Sequence, residues 1–176
     1  MKWKPLDLLF FDRINQIGDI CYPDLPETPE IFRHRIEQFP EGCRMLIKDE
    51  EIVGYGIAYP WELLSIPPLD SYLKPLPKLP LCMYIHDVAI LPEARGHSAS
   101  KDYVEYISEL ALSMSINFVC GVSVHGTSSL WKKYILGCKT YSDNEVKSQL
   151  GTYGFDAVYM IRDLMQWNSY GRDTVK

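Results

Sequence analysis

One stretch of the chain, residues 83–115, constrains the fold more than any other because it predicts a strand, a polar turn and a helix in direct succession. Its first nine residues, M-Y-I-H-D-V-A-I-L, are apolar and β-branched as in a central strand, and Pro92 ends them. Small residues then follow Arg95 and lead into a helix whose apolar residues recur every three or four positions. The first turn of such a helix leaves main-chain N–H groups free, which makes it a place for an anion.

Composition restricts the class of protein and its partners. The chain has 176 residues, 47% of them hydrophobic, which is enough for one domain with a buried core. Its five cysteines are odd in number and lack C-x-x-C spacing, which favours reduced thiols in the cytoplasm and indicates no metal site. A net charge of -5 without a long basic run argues against a nucleic-acid partner. No apolar stretch reaches the roughly 18 residues that a membrane span needs, so we expect no membrane partner.

The other segments predict the remaining strands and helices. The predicted strands are residues 1–6, 43–48, 52–59, 117–124, 137–141 and 157–162, and the predicted helices begin at Leu8, Pro29 and Thr127. Between the third and fourth strands, residues 60–80 contain six prolines among leucines and aromatics. They predict either an ordered flap over the site or a wrap around a sheet edge. The polar segment 142–154 predicts a mobile connection.

The organising stretch resembles the acyl-CoA signature of the GNAT N-acetyltransferase superfamily. That signature is Arg/Gln-x-x-Gly-x-Gly/Ala after a strand that ends in an aliphatic-Ala-aliphatic triplet. Here the triplet is Val88-Ala89-Ile90 and the turn is Arg95-x-x-Ser98-x-Ser100, so both glycines are replaced by serine. A serine Cβ fills some of the space that glycine leaves, but its hydroxyl adds a donor. The segments V-H-G-T-S-S-L-W (124–131) and Y-G-F-D-A-V-Y-M (153–160) resemble a bacterial branch of the same superfamily.

The resemblance implies a fold and a cofactor. The fold is a single α/β domain over residues 1–176, with a mixed, mostly antiparallel sheet, helices on both faces, and fourth and fifth strands that splay apart. The acyl donor is acetyl-CoA, whose pantetheine arm pairs with the freed edge of the fourth strand. Main-chain N–H groups of Val88, Ala89 and Ile90 then hold the arm and the thioester oxygen. The residues around the pyrophosphate are Arg95, Gly96, His97, Ser98, Ala99, Ser100 and Lys101.

The base that takes a proton from the acceptor is predicted to be His86. One member of the superfamily carries its catalytic histidine two residues before the aliphatic triplet, the position of His86 here, and an imidazole ionising near pH 6.5 suits the task. The alternative is a histidine tied into the core beside Asp87. Strand alternation predicts that His86 shares a face with Val88 and that Asp87 lies on the opposite face as a structural acceptor.

The general acid that protonates the leaving thiolate is predicted to be Tyr134. Many relatives use a tyrosine in the helix after the fifth strand, but the matching position here is Trp131 or Lys133, depending on the direction of counting. Tyr134 lies one turn after Trp131 and can substitute geometrically; without it the thiolate leaves unaided or through water. His125 is interpreted as a loop histidine without a role. His34, between Arg33 and Arg35 on a charged helix face, is interpreted as solvated.

These residues support two hypotheses of different kinds. The first is an acetyl-CoA-dependent N-acetyltransferase, active as a monomer or homodimer, whose acceptor is a primary amine of a small molecule or peptide attacking directly in a ternary complex. The second is a non-catalytic acyl-CoA-binding protein of the same fold, which the two serines and Trp131 keep open. A third possibility, a domain that binds another phosphate compound, is disfavoured because the sequence contains neither a Walker lysine nor a G-x-G-x-x-G motif.

Overall fold

A seven-stranded sheet forms the centre of the molecule. The computed structural model describes residues 1–96, 98–134, 139–141 and 143–166, with the side chains of residues 133, 134, 139 and 141 outside the description. The strands are β1 (Lys2–Pro5), β2 (Arg44–Lys48), β3 (Glu51–Trp61), β4 (Cys82–Ile90), β5 (Phe118–Ser123), β6 (Lys139–Tyr141) and β7 (Val158–Asp163). Their order across the sheet is β1-β2-β3-β4-β5-β7-β6, and every pair is antiparallel except β4–β5. The mixed, mostly antiparallel sheet is confirmed.

Helices cover both faces of this sheet. They are α1 (Phe11–Cys21), α2 (Pro29–Gln38), α3 (Ala99–Ser113), α4 (Ser128–Tyr134) and α5 (Asn144–Gln149). The α1 and α2 helices pack on one face, where Phe32 of α2 makes an edge contact with the ring of Tyr55 on β3. The α3 helix packs on the opposite face, where a Cβ at Gly56 of β3 would lie 2.4 Å from the Tyr103 ring. Glycine at position 56 is therefore required by the close approach of α3.

A β-bulge in β4 sets which side chains face which helices. Ile57 pairs with Asp87 and Ala58 pairs with Ile85, so His86 is the extra residue with no partner on β3. Beyond the bulge, Asp87 and Ala89 lie on the α1 and α2 face while Val88 lies on the α3 face. The expectation that His86 and Val88 share a face was wrong, because a bulge shifts the alternation by one residue.

The proline-rich segment, residues 62–81, lies across the α1 and α2 face as an ordered flap. Pro68 accepts a hydrogen bond from Arg35 Nη2 (2.8 Å), and Pro67 accepts one from the Tyr153 hydroxyl (2.6 Å). The Leu69 N–H donates to Thr152 Oγ1 at 3.1 Å. These bonds tie the flap to α2 on one side and to the segment before β7 on the other, which excludes the wrap around a sheet edge.

The segment before β7 was predicted to be a mobile connection, but the structure shows that part of it is helical. It contains α5 and a short 3₁₀-helix at Gly151–Tyr153. The Asp143 side chain accepts a hydrogen bond from the Val146 N–H (2.8 Å), which caps α5 at its N-terminus, and Val146 is buried. A polar composition concealed this helix because only one of its side chains faces the core.

Candidate functional site

A cleft opens where β4 and β5 separate. The parallel pairing of the two strands ends at Ile85 and Gly121, although both strands continue beyond that point. The predicted splay of the fourth and fifth strands is therefore confirmed. A cavity of about 480 Å³ fills the gap. It reaches from Ser100 and Val104 of α3 on one side to Leu69 of the flap and Tyr153 on the other.

The residues predicted to bind the cofactor lie at the α3 side of this cleft. Four of them line the cavity, namely Val88, Ile90, Arg95 and Ser100. Ala89 is instead buried in the core on the α1 side, and Ala99 is buried at the start of α3. Gly96, Ser98 and Lys101 are exposed at the turn, and His97 lies outside the described residues.

Along the open edge of β4, the main-chain carbonyls already accept hydrogen bonds from protein side chains, and the main-chain N–H groups are available to a ligand. The Val88 carbonyl accepts a hydrogen bond from the Tyr22 hydroxyl (2.9 Å), and the Ile90 carbonyl accepts one from Arg95 Nε (2.8 Å). In an antiparallel strand the N–H and C=O groups of one residue point to the same side. The N–H groups of Val88 and Ile90 therefore face the cleft and can donate to an extended ligand.

The N-terminus of α3 provides a second set of donors. The N–H of Asp102 bonds to the Ser98 carbonyl (3.0 Å), so the amides of Ala99, Ser100 and Lys101 precede the first bond within the helix. Ser98 makes no side-chain cap and adopts a left-handed conformation, with φ of 60°. This conformation favours glycine, which explains why the turn resembles a glycine signature even though serine occupies it. Three uncapped amides at a helix start suit a phosphate group.

His86 lies on the flap side of the cleft in a buried polar network. Its side chain is 1% exposed, and its Nε2 lies 2.7 Å from Oε2 of Glu27 in the loop between α1 and α2. The other oxygen of Glu27 accepts hydrogen bonds from Arg35 Nε (2.7 Å) and from the Asp70 N–H of the flap (3.0 Å). The His86 Nδ1 atom is buried without a hydrogen-bond partner among the described residues, yet His86 lines the cavity. Because a buried nitrogen without a hydrogen bond is costly, Nδ1 is the atom of this network that still needs a donor.

The charges of this network favour a neutral imidazole. Burial alone would raise the pKa of Glu27, but His86 and Arg35 outweigh it and hold that pKa at about 2. Burial lowers the pKa of His86, and the Arg35 guanidinium adds to this against the opposing effect of Glu27. Arg35 already balances the one carboxylate charge, so a second buried cation at His86 is disfavoured. The His86 side chain is thus buried, as the core-histidine interpretation predicts, and the residue also lines the cavity, as the base interpretation predicts.

Asp87 lies beside His86 and also lines the cavity. It accepts a hydrogen bond from the Tyr55 hydroxyl. Burial raises the pKa of Asp87 to about 7, although the nearby hydroxyls of Tyr55 and Tyr22 lower it. The bulge brings Asp87 to the α1 and α2 face together with His86, whereas alternation had placed the two on opposite faces.

The remaining candidates lie on or near α4. The side chain of Tyr134 is outside the described residues, but Leu130 and Trp131 of the same helix line the cavity. His125 also lines it, with Nε2 3.3 Å from Asp24 Oδ2 and the histidine side chain 39% exposed. His34 is half-buried and packs edge-on against Tyr72, with ring centroids 4.9 Å apart, so it is not fully solvated.

Sequence reasoning missed two residues of the network, Glu27 and Arg35. Arg35 was interpreted as part of a charged helix face, but its side chain is fully buried. A signal was present, since Ile31, Phe32 and Ile36 share its face of α2 at helical spacing and Arg35 interrupts an apolar stripe. Glu27 lies in a loop, where no periodicity identifies a buried carboxylate.

The described residues offer neither a metal cluster nor a membrane-spanning helix. Among them, no group of three or more histidine, cysteine, aspartate or glutamate side chains is arranged to hold a metal ion. Within the same part of the chain, no helix combines the length and apolar character required to cross a bilayer. Cys21, Cys43, Cys82 and Cys120 are free thiols, and Cys138 lies outside the described residues.

Comparison with solved structures shows the fold. The GphF GNAT-like decarboxylase in complex with isobutyryl-CoA superposes with a TM-score of 0.73 at 16% identity, covering 93% of this chain and 100% of that one. The loading GNATL domain of CurA from Lyngbya majuscula superposes with a TM-score of 0.67 at 14% identity, covering 94% of this chain and 98% of that one. The ribosomal-protein-alanine N-acetyltransferase from Brucella melitensis superposes with a TM-score of 0.65 at 12% identity, covering 93% of this chain and 100% of that one.

Sequence comparison assigns the family. No curated protein gives a significant match to the chain. The family model described as "Acetyltransferase (GNAT) family" matches residues 10–131, a range that includes both the α3 side of the cleft and the Glu27, Arg35 and His86 network. The matched range covers more than half of the sequence, and the chain therefore belongs to the acetyltransferase (GNAT) family.

Proposed function

We propose that this protein is an N-acetyltransferase that transfers an acetyl group from acetyl-CoA to a primary amine. Family membership places it in general terms among acyl-CoA-dependent acyltransferases. The observation that carries the proposal is that one cavity is lined both by β4 and the start of α3, whose main-chain amides can donate to a CoA thioester, and by His86, whose buried Nδ1 lacks a partner among the described residues. The similar GphF structure was solved with isobutyryl-CoA, which supports an acyl-CoA as the donor.

The residues on the α3 side suit the binding of acetyl-CoA. The Val88 and Ile90 amides would donate to the pantetheine arm, and the amides of Ala99, Ser100 and Lys101 would hold the pyrophosphate. We retain Gly96, His97, Ser98 and Arg95 as residues of the turn that shapes this site, with Arg95 fixing the end of β4 through the Ile90 carbonyl. The bound thioester supplies an activated acetyl group.

The residues on the flap side suit the acceptor amine. An amine must lose a proton before or during attack, and His86 Nδ1 would take it directly or through a water molecule. The new C–N bond forms as the C–S bond breaks, so the thiolate needs a proton in turn. Tyr134 is the proposed acid because Trp131, three residues earlier on α4, lines the cavity and positions three apart face similarly. We propose residues 1–176 as one catalytic unit, since β7 completes the cleft beside β5.

Thiol release tests this proposal directly. The full chain is incubated with acetyl-CoA and a panel of amines that includes polyamines, amino-sugars and peptides with free N-termini. We expect release of free CoA only when an accepted amine is present, together with a product 42 Da heavier than that amine, the mass of one acetyl group exchanged for hydrogen. Acetyl-CoA binding without amine-dependent release across the panel would contradict the proposal and favour the non-catalytic binding protein.

A further inference from the structure

The Glu27 carboxylate is hydrogen-bonded to one ring nitrogen of His86, and the other ring nitrogen has no hydrogen-bond partner among the described residues. Glu27 Oε2 has His86 Nε2 as its partner, and Oε1 accepts from Arg35 Nε and the Asp70 N–H. All of these partners must be donors, because an ionised carboxylate only accepts hydrogen bonds. The proton of the neutral His86 ring is thereby assigned to Nε2, which leaves a lone pair on Nδ1.

Two separate parts of the chain fix the position of Glu27. Arg35 comes from α2, where its fully buried guanidinium also donates to the Tyr59 hydroxyl (3.3 Å) and to the Pro68 carbonyl. The Asp70 N–H comes from the flap, and the Asp70 carboxylate in turn accepts from the Thr28 N–H (2.6 Å), next to Glu27 in the chain. The carboxylate is therefore held in place before any ligand enters, which is how a positioning group must be built.

We infer that Glu27 is the positioning residue of His86: it fixes the Nε2–H tautomer and ring orientation, so that Nδ1 faces the reaction as the proton acceptor. This inference rests on the proposed function for its catalytic meaning. Its structural content, the tautomer, stands independently of any acceptor. Neither Glu27 nor Arg35 touches the reacting atoms in this assignment.

The substitution Glu27→Gln reverses the arrangement with little change in shape. The carbonyl of the new amide must still accept from Arg35 Nε and the Asp70 N–H, which directs the amide NH₂ group toward His86 Nε2. That nitrogen must then accept a hydrogen bond, and the ring proton moves to Nδ1. The variant therefore keeps the histidine and its neighbours but removes the lone pair that the reaction needs.

The experiment combines ¹⁵N-histidine NMR with steady-state kinetics on the full chain. The His86 signals are identified by their loss in His86→Gln, and the wild type is expected to show Nε2–H. In Glu27→Gln we expect the Nδ1–H tautomer. We also expect kcat to fall between about 10²- and 10⁴-fold, which is the range that general-base catalysis contributes. The KM for acetyl-CoA should stay within about twofold of wild type. Glu30→Gln is the matched control, because Glu30 is exposed in the first turn of α2 and should leave both tautomer and kcat unchanged.

The outcomes separate this inference from the proposed function. An Nδ1–H tautomer in the wild type overturns the inference even if Glu27→Gln fails to fold. A Glu27→Gln protein that keeps the Nε2–H tautomer, or that keeps full kcat, also overturns it. If the wild type transfers no acetyl group, the proposed function fails, and the tautomer measured in the two proteins still decides whether Glu27 sets the protonation of His86.

Discussion

The two sides of the cleft are built from different chemical groups. On the α3 side the proposed donors to the ligand are main-chain amides of β4 and of the first turn of α3. The flap side instead contains a buried side-chain network, in which His86 of β4 is held by Glu27 of a loop and Glu27 is held by Arg35 of α2. We therefore expect the α3 side to tolerate changes of side chain as long as the backbone path is kept, and the flap side to depend on individual functional groups.

The largest expected effect is on the flap side, in His86→Ala. Loss of the proton acceptor should reduce kcat between about 10²- and 10⁴-fold, the contribution of a general base. The affinity for acetyl-CoA should change little, because the donors for the cofactor are on the other side. Steady-state kinetics and calorimetric titration of acetyl-CoA measure the two effects, with His34→Gln as a control outside the cavity. Equal losses of turnover and affinity would remove the division between the two sides.

Arg35→Met tests how strongly the flap side depends on its buried charges. Removing the guanidinium leaves the Glu27 carboxylate buried without its charged partner, so the free energy of unfolding should fall by about 3 kcal/mol or more. Urea denaturation monitored by tryptophan fluorescence measures it. The control is Arg33→Met in the same helix, where the guanidinium lies 4.0 Å from the Phe11 ring and should contribute no more than about 1 kcal/mol. Similar losses in the two variants would contradict the role given to Arg35.

The pH dependence of stability should distinguish the two carboxyl groups of the flap side. The pKa of Asp87 is raised to about 7 from 3.8, so between these values the folded protein retains a proton that the unfolded chain has lost, and stability falls as pH rises. The pKa of Glu27 is lowered to about 2 from 4.5, so its contribution is complete above pH 4.5 and is lost only as pH falls toward 2.

Asp87→Asn isolates the first of these effects. The amide of asparagine can still accept a hydrogen bond from Tyr55 but cannot ionise. The free energy of unfolding of wild type, relative to that of this variant, should therefore decline by on the order of 2 kcal/mol from pH 4 to 7.5. This figure is already reduced for the partial exposure of Asp87 to the cavity. Denaturation curves of both proteins across this range give the difference. A difference that stays constant, or that grows in favour of wild type with rising pH, would exclude a raised pKa at Asp87.

The smallest expected effects are on the α3 side, where the same substitution should act in opposite directions two residues apart. Ser98 has φ of 60°, so Ser98→Gly relieves a left-handed conformation and should stabilise the protein by about 0.5 kcal/mol after the greater flexibility of glycine is counted. Ser100 lies in the first turn of α3, where glycine should cost about 0.5 kcal/mol. Both variants should bind acetyl-CoA within a few-fold of wild type, and a large loss in either would show that side chains matter on this side too.

The same contrast explains what the sequence could and could not predict. The strand, turn and helix of residues 83–113 follow from local periodicity and from the small residues of the turn, and so do the free amides at the start of α3, whereas the donors of β4 were predicted from the family resemblance. The bulge at His86 could not be predicted, because nothing local marks the extra residue. The Glu27, Arg35 and His86 network joins positions separated by up to 59 residues, and only tertiary packing brings them together.

The most direct test of how the cleft holds its ligand is a titration of the ¹⁵N-labelled protein with acetyl-CoA, observed by amide NMR. We predict that the amides of Val88 and Ile90 and those of residues 99–101 show the largest shifts and become protected from hydrogen exchange at saturation. Binding that leaves these amides unchanged while shifting residues elsewhere would contradict the assignment of main-chain donors to the α3 side.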